Sequence, residues 1–246
     1  MKKFLFSAAA LVLSALNLSA QSGEWSFGIG SEAMTQYMWH GLPLSSSPTV
    51  VPTASVNFEN DDFSFEAGFC SVTELQRGHY LEMDLWASAT YRGFTFMAQE
   101  YGMGDNLGLG GYSDNLELSL GYELPFEVPA SLTWNTFVAG DDFNGDGSRA
   151  FSSYVELCIP YDINDFSFSF TAGAVPFASD EMYGTEGFTV TRLSLQAGYN
   201  FSVGENLELP VYIQDTYSPF LEHNFVVLGC SLTYSFSSAN LKRQAE

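Results

Sequence analysis

Large apolar and small polar residues alternate strictly along residues 166–174, which read FSFSFTAGA. A period of two places one kind of residue on each face of an extended chain, so this segment is predicted to be a β-strand with one apolar and one polar face. About nine to eleven residues are enough for a tilted strand to cross a bilayer. The same alternation recurs along the chain and predicts a membrane protein built of strands.

Twelve segments carry this pattern, and no segment keeps a helical period. The connections after even-numbered strands are short and those after odd-numbered strands are mostly longer, as in barrels with short periplasmic turns and long outer loops. The expected fold is therefore all-β: a transmembrane antiparallel up-and-down β-barrel of about 12 strands. The predicted strands are 25–39, 50–58, 63–71, 80–91, 94–101, 115–122, 131–140, 151–160, 166–174, 189–199, 207–215 and 225–236.

The apolar faces are predicted to meet lipid, and aromatic residues at the strand ends, including Tyr37 and Trp39, are predicted to lie at the lipid–water boundary. Glu100 does not fit, because its parity places a carboxylate on the apolar face; it either lies above the hydrocarbon or is re-aimed by a bulge. A soluble sandwich or lipocalin would turn the same apolar faces inward. The aromatic strand ends and the alternating loop lengths favour the membrane barrel.

The polar faces are predicted to line the lumen. Seven acidic residues and one base fall on them, which favours a pore that prefers cations. A barrel plugged by side chains is the alternative, since Trp86, Phe137, Tyr154 and Tyr212 also face inward and twelve strands lie between filled and open barrels. The candidate pore-lining residues are Glu32, Glu66, Glu82, Asp84, Glu117, Glu156, Arg192 and Glu208.

The N-terminus has the features of a secretory signal: two lysines, an apolar run and small residues up to Ala20. The expected organisation is a signal peptide at 1–20, a barrel at 21–236 and a short periplasmic tail at 237–246. Export and a strand-built membrane domain together predict the bacterial outer membrane, with its lipid and lipopolysaccharide as partners.

The chain has 8 basic against 29 acidic residues and a net charge of −21, which makes nucleic acid an improbable partner. Three cysteines give neither a disulfide framework nor a metal cage. The sequence contains no G-x-S-x-G or H-E-x-x-H motif, so no enzymatic activity is expected. No cofactor is expected, and the oligomeric state stays open.

Two weak metal patterns occur in the predicted outer loops. Asp142, Asn144 and Asp146 have the spacing of the first half of a calcium-binding loop, but Ser153 takes the place of its final Glu, and a solvated acidic loop is the preferred interpretation. His40, His79 and His223 fall in loops that a closed barrel would make neighbours, which raises the hypothesis of a transition-metal site at the mouth.

The octapeptide 34–41 (MTQYMWHG) resembles the opening strand of the TorF-like family of outer-membrane porins. Segments 81–85 (LEMDL), 140–142 (GDD) and 153–156 (SYVE) are similar to later blocks of that family, so the resemblance spreads over most of the mature chain. His40 stands where the family more often carries Arg. The resemblance implies an outer-membrane barrel that acts as a pore.

The expected function is a small porin-like channel for passive diffusion of small hydrophilic solutes, with a preference for cations. The alternative is a non-conducting structural or adhesin-type barrel that works through its acidic outer loops.

Overall fold

A computed structural model describes residues 23–76, 81–103, 113–202 and 207–237, which form one closed antiparallel barrel of twelve strands. The predicted signal at 1–20, His79 and nearly all of the predicted tail at 237–246 lie outside these residues. The barrel strands are β1 Glu24–Met34, β4 Thr49–Glu59, β5 Phe63–Glu74, β6 Leu81–Tyr91, β7 Phe94–Met103, β8 Ser113–Leu124, β9 Ala130–Ala139, β10 Ser153–Ile163, β11 Phe166–Val175, β12 Thr189–Ser202, β13 Leu207–Ser218 and β14 His223–Ser237. A separate short hairpin consists of β2 Met38–Trp39 and β3 Leu42–Pro43.

Each barrel strand pairs with its neighbours in the sequence, and β14 pairs with β1 to close the ring. The twelve-stranded up-and-down topology is therefore as predicted. The end that holds the short turns, called here the turn end, also holds the ends of β1 and β14 that lie nearest the termini. Arg92 and Gly93 form a two-residue hairpin there with φ of 50° and 80°, a backbone that suits the twist of the strands.

The opposite end, called the loop end, carries the longer connections at 35–48, 140–152 and 176–188. The connection between β13 and β14 is only 219–222, shorter than predicted, because both strands extend further toward this end.

The polarity of the barrel is inverted relative to a water-soluble protein. The outward face exposes large apolar side chains, such as Ile29, Leu120 and Leu195, while Glu82 and Glu117 are buried at 1% and 2% exposure on the inward face. A surface of this kind is stable only against lipid, which supplies the apolar surroundings that water does not. The chain is a transmembrane β-barrel, and the soluble alternative is wrong. Within the described ranges, no helix is long and apolar enough to cross a membrane.

Glu100 keeps its outward direction. The pairing of β7 with β6 and with β8 is continuous, and Glu100 stands between Leu85 and Leu116 near the loop end. The register shifts instead at Leu116/Glu117 and at Gly173/Ala174. No bulge re-aims this carboxylate.

Strand β1 ends at Met34, five residues before the predicted end at Trp39. The chain then leaves the wall and turns into the barrel. The prediction that Tyr37 and Trp39 lie at the lipid boundary is therefore wrong, because both side chains contact inward-facing groups.

Candidate functional site

Residues 35–48, called here the inserted loop, run from the wall into the lumen and back. The loop starts in register with the wall, since the Thr35 amide donates to the Leu228 carbonyl at 2.9 Å. It closes on itself at Ser45, whose hydroxyl oxygen accepts from the Tyr37 amide at 2.7 Å and from the Thr49 hydroxyl at 3.0 Å. These bonds give the loop a fixed shape across its base.

Glu74 holds the returning arm of the inserted loop. Its Oε1 atom accepts hydrogen bonds from the Ser46 amide (2.9 Å), the Ser46 hydroxyl (3.2 Å) and the Ser47 hydroxyl (2.8 Å). Glu74 lies beyond the predicted end of this strand at Ser71 and is not among the predicted site residues. The alternation continues through Val72 to Glu74, and it would have placed this acid on the inward face.

The tip of the inserted loop reaches the far wall of the barrel. His40 and Gly41 turn the chain with φ of 49° and 83°, and the His40 carbonyl accepts a hydrogen bond of 2.8 Å from the Thr191 hydroxyl on β12. The backbones are so close that a Cβ on Gly41 would collide with the Thr191 carbonyl. Glycine is required here both for the conformation and for the approach.

His40 lies within a group of rings called here the lumen aromatic cluster. Its imidazole stacks between the Trp39 ring, at 4.1 Å, and the Tyr154 ring, at 3.8 Å, and its Nδ1 atom shares a 2.8 Å hydrogen bond with the Tyr183 hydroxyl. The Trp39 and Tyr183 rings are stacked within 5° of parallel. The members are Trp39, His40, Tyr101, Phe137, Tyr154 and Tyr183. The cluster ties the inserted loop to three barrel strands and to the 176–188 loop.

The surroundings of His40 oppose its protonation. Burial, with a further contribution from the Arg192 charge, lowers the pKa of this loop histidine to about 3. Burial, with the neighbouring Glu117 carboxylate and other groups, raises the pKa of Tyr183 well above its usual range. The His40–Tyr183 contact is therefore uncharged at neutral pH.

The strand register places the eight candidate pore-lining residues on the inward face of the wall. Three acids lie together beneath the aromatic cluster: Glu117 accepts a 2.8 Å hydrogen bond from the Tyr101 hydroxyl, and Asp84 accepts one of 3.2 Å from the Gln99 amide. Glu82, the third, accepts from the Tyr37 hydroxyl of the inserted loop at 3.4 Å. Part of the acidic lumen is thus bound to the loop that narrows it.

The remaining candidates occupy other parts of the wall. Arg192 forms an ion pair of 3.0 Å with Glu156, so the predicted lumen base is already matched by one acid. Glu32 accepts a 2.6 Å hydrogen bond from the Tyr212 hydroxyl. Glu66 is half-buried on β5, and Glu208 is exposed near the turn end of β13.

Three inward aromatic rings lie along the wall, each above a glycine of the neighbouring strand. A Cβ on the glycine would collide with the ring in each case: Trp86 above Gly68, Tyr154 above Gly173 and Tyr212 above Gly229. A glycine opposite an aromatic residue makes room for the ring beside the backbone. The centre of the barrel is therefore less filled than the number of inward aromatic residues implies.

One sector of the wall carries mostly small inward side chains around an open space. Strands β1, β4 and β14 meet there, and a cavity of about 240 Å³ lies against them. Glycine, serine and threonine make up most of its lining, together with Ile29, and Glu32 is its acid. The opposite sector, from β6 to β10, holds the aromatic cluster and the three clustered acids.

The candidate metal residues in the 140–152 loop have other partners. The Asp142 carboxylate is buried and accepts from the Ser152 hydroxyl at 2.6 Å and the Ser152 amide at 2.9 Å. Hydrogen bonds from the Ser148 hydroxyl and amide hold the pKa of Asp146 below its usual value. The Asn144 side-chain amide donates to the Ser148 hydroxyl at 3.0 Å.

His40 and His223, which the metal hypothesis brings together, have different surroundings. His40 is enclosed in the lumen, whereas His223 begins β14 and packs against Phe225. Within the described part of the chain, no three His, Cys, Asp or Glu side chains are placed to hold a metal ion.

No protein-family model matches the chain, and no curated protein does. Several solved structures of membrane channels are similar to it. An outer membrane channel from Pseudomonas putida F1 is 15% identical with a TM-score of 0.45, covering 87% of this chain and 95% of its own. The KdgM porin is 9% identical with a TM-score of 0.46 (86% and 99% covered), and the CymD monoaromatic hydrocarbon channel is 10% identical with a TM-score of 0.43 (89% and 90%).

Proposed function

We propose that this protein is a narrow porin-like channel for passive diffusion of small hydrophilic solutes. The observation that carries the proposal is the open space along the β1, β4 and β14 sector, inside a barrel whose apolar surface faces outward. Small polar side chains leave room for hydrated solutes, and the inserted loop narrows the rest of the lumen. The TorF-like resemblance of the sequence agrees with this function.

The proposed location is the bacterial outer membrane, where barrels with short turns at one end and longer loops at the other are found. The apolar outward face would contact lipid, and the acidic loop end would contact lipopolysaccharide through bridging cations. The loop at 140–152 is the candidate calcium contact in this arrangement, through the exposed Asn144 and Asp146, and Asp142 would have to leave its buried hydrogen bonds with Ser152 to take part.

The proposed selectivity is for cations. Seven inward acids face one inward base, and the ion pair between Arg192 and Glu156 cancels one charge of each sign. Acidic groups in a lumen with low-dielectric walls attract cations and raise the barrier for anions. Glu32 lies on the open sector, so it is the acid best placed to act on a passing ion.

Single-channel recording of the refolded mature protein tests the proposal. The protein is inserted into a planar bilayer that separates two concentrations of potassium chloride. We expect discrete conductance steps and a reversal potential of the sign that potassium selectivity gives. Protein that is shown to be folded and inserted but conducts no current would contradict the proposal.

A non-conducting barrel that acts through its acidic outer loops is the second candidate. The inserted loop favours it, because the aromatic cluster fills the sector from β7 to β10 and Tyr154 is fully buried there. Removal of the loop tip distinguishes the two functions. If the protein is a channel, its conductance should rise when the tip is removed. If it is a structural barrel, its outer surface is kept and it has no activity that depends on the lumen.

A further inference from the structure

The cavity on the open sector owes its existence to two glycines on β1. Gly28 and Gly30 face inward, where a Cβ on Gly28 would stand 3.2 Å from the Ser55 hydroxyl and a Cβ on Gly30 would press on the Leu232 carbonyl. A Cβ at Gly30 would require movement of the β14 backbone, whereas a Cβ at Gly28 would require the Ser55 hydroxyl to shift by a few tenths of an ångström. The two glycines leave the β1 side of the space free of side chains, and the close β14 backbone sets its limit at Gly30.

Hydroxyl groups surround this space. Thr53 and Ser55 on β4 face Ser231 and Thr233 on β14 across the strip of β1 that carries the two glycines. A hydroxyl both donates and accepts hydrogen bonds, so four of them can match a ligand that carries several hydroxyl groups. The Thr53 hydroxyl donates to the Val51 carbonyl and the Ser55 hydroxyl accepts from the Asn57 side-chain amide, each at 3.4 Å, and both hydroxyls keep further hydrogen-bonding capacity for a polar ligand.

One negative charge stands at the loop-end side of the cavity. Glu32 is oriented by the Tyr212 hydroxyl, 2.6 Å from its Oε1 atom, and Tyr212 is itself held above Gly229. Arg192, the inward base, is paired with Glu156 on another part of the wall. A cationic group on the ligand can therefore approach an oriented carboxylate that no basic side chain among the described residues neutralises.

We propose that this cavity is a binding site for a small polyhydroxylated solute that carries one amino group, such as an amino sugar. The proposal rests on the channel function and names its preferred class of solute. The ammonium group binds Glu32, and the solute hydroxyls bind the serine and threonine side chains. The size of the cavity, about 240 Å³, suits a single sugar ring.

Current block by three sugars of similar size and different charge tests the site. Glucosamine is cationic, glucose is neutral and glucuronate is anionic, and each is added to the protein in a planar bilayer. We expect saturable block by glucosamine, weaker block by glucose and none by glucuronate. Glu32→Gln keeps the acceptor for Tyr212 but removes the charge, and should weaken glucosamine block by about tenfold or more.

Two further variants make the test specific. Ser55→Leu fills the cavity without a change of charge and should abolish block by glucosamine. Glu123→Gln removes an exposed acid of β8, away from the cavity, and should leave the block unchanged. Equal block by all three sugars, or glucosamine block that persists in Glu32→Gln, would overturn the proposed site while the channel function stands.

A protein that does not conduct would remove the channel function but would still allow a test of the site. Calorimetric titration of the refolded protein in detergent with glucosamine measures binding directly. Heat that disappears in Glu32→Gln and in Ser55→Leu supports the site. An absence of saturable binding to the wild-type protein overturns it.

Discussion

The Nδ1 atom of His40 lies 2.8 Å from the hydroxyl oxygen of Tyr183, although the two residues are 143 positions apart in the chain. Each belongs to a loop, and their contact lies inside a barrel whose strands pair with sequence neighbours except where β14 closes on β1. The inserted loop is therefore held by side-chain stacking and a few hydrogen bonds, while the wall is held by continuous strand pairing. We therefore expect that the loop can leave the lumen while the strand pairing of the barrel is kept.

Gly41→Ala should release the inserted loop. An alanine at a φ of 83° costs about 1–2 kcal/mol, and the added Cβ would also collide with the Thr191 carbonyl. We expect a higher single-channel conductance than that of the wild-type protein, with the barrel still folded. Recording in a planar bilayer measures the first, and heat-modifiable migration on gels measures the second.

Gly147→Ala is the matched control for this substitution. Gly147 also has a φ of 83°, but no atom lies within 4 Å of the position of a Cβ. Alanine at this position, in the 140–152 loop, has the same conformational cost of a positive φ but does not collide with a neighbouring atom. A conductance that rises equally in both variants would show that release of the inserted loop is not the cause.

Acid should also release the inserted loop. The pKa of His40 is about 3 in the docked loop against 6.5 for a free histidine, so the undocked state binds more protons between these values. Docking is fully stable above about pH 6.5 and weakens as the pH falls toward 3. We expect the mean conductance to rise over that range, measured from pH 7.5 to pH 3.5.

His40→Gln separates this effect from titration of the lumen acids. Glutamine does not titrate, so conductance should lose its rise in acid, while the decline in cation selectivity caused by protonated carboxylates remains. A rise that is the same in His40→Gln and in the wild-type protein would assign it to another group.

Alternation along the chain was sufficient to predict the barrel because pairing in a closed sheet depends only on local period and connection length. Residues such as Glu82 and Leu85 were assigned to the correct faces for this reason. The short Arg92-Gly93 hairpin was predictable from its residues, because glycine readily adopts the positive φ that such a turn requires.

The inserted loop could not be predicted in this way. Tyr37 and Trp39 are aromatic residues that follow a strand. Such residues suit either the lipid boundary or the lumen, and the alternation of the sequence does not distinguish these two positions. The contact between His40 and Tyr183 joins two loops, and neither loop has a periodic pattern of apolar and polar residues that would predict it. The only local sign of the turn was His40-Gly41, where both residues adopt positive φ.

Substitution of the three clustered acids should lower cation selectivity. Glu82→Gln, Asp84→Asn and Glu117→Gln keep the shapes of the side chains, and their combination should reduce the cation-to-anion permeability ratio by about half or more. Reversal potentials under a potassium chloride gradient measure the ratio. The control is a triple variant at a turn that also removes three acidic groups: Glu59→Gln, Asp61→Asn and Asp62→Asn. An unchanged ratio in the lumen variant would exclude these acids as the selectivity determinants.

Adjacent positions on β14 test which face meets lipid. Cys230 is exposed on the outward face, four residues from the Tyr234 ring, and Ser231 faces the lumen in register with Glu32. Cys230→Arg places a charge in the hydrocarbon and should lower the free energy of unfolding by about 2–4 kcal/mol. Ser231→Arg places the same group beside a carboxylate in a polar lumen and should cost much less. Guanidinium titration of both variants folded in lipid vesicles measures the difference, and equal losses would contradict the assigned faces.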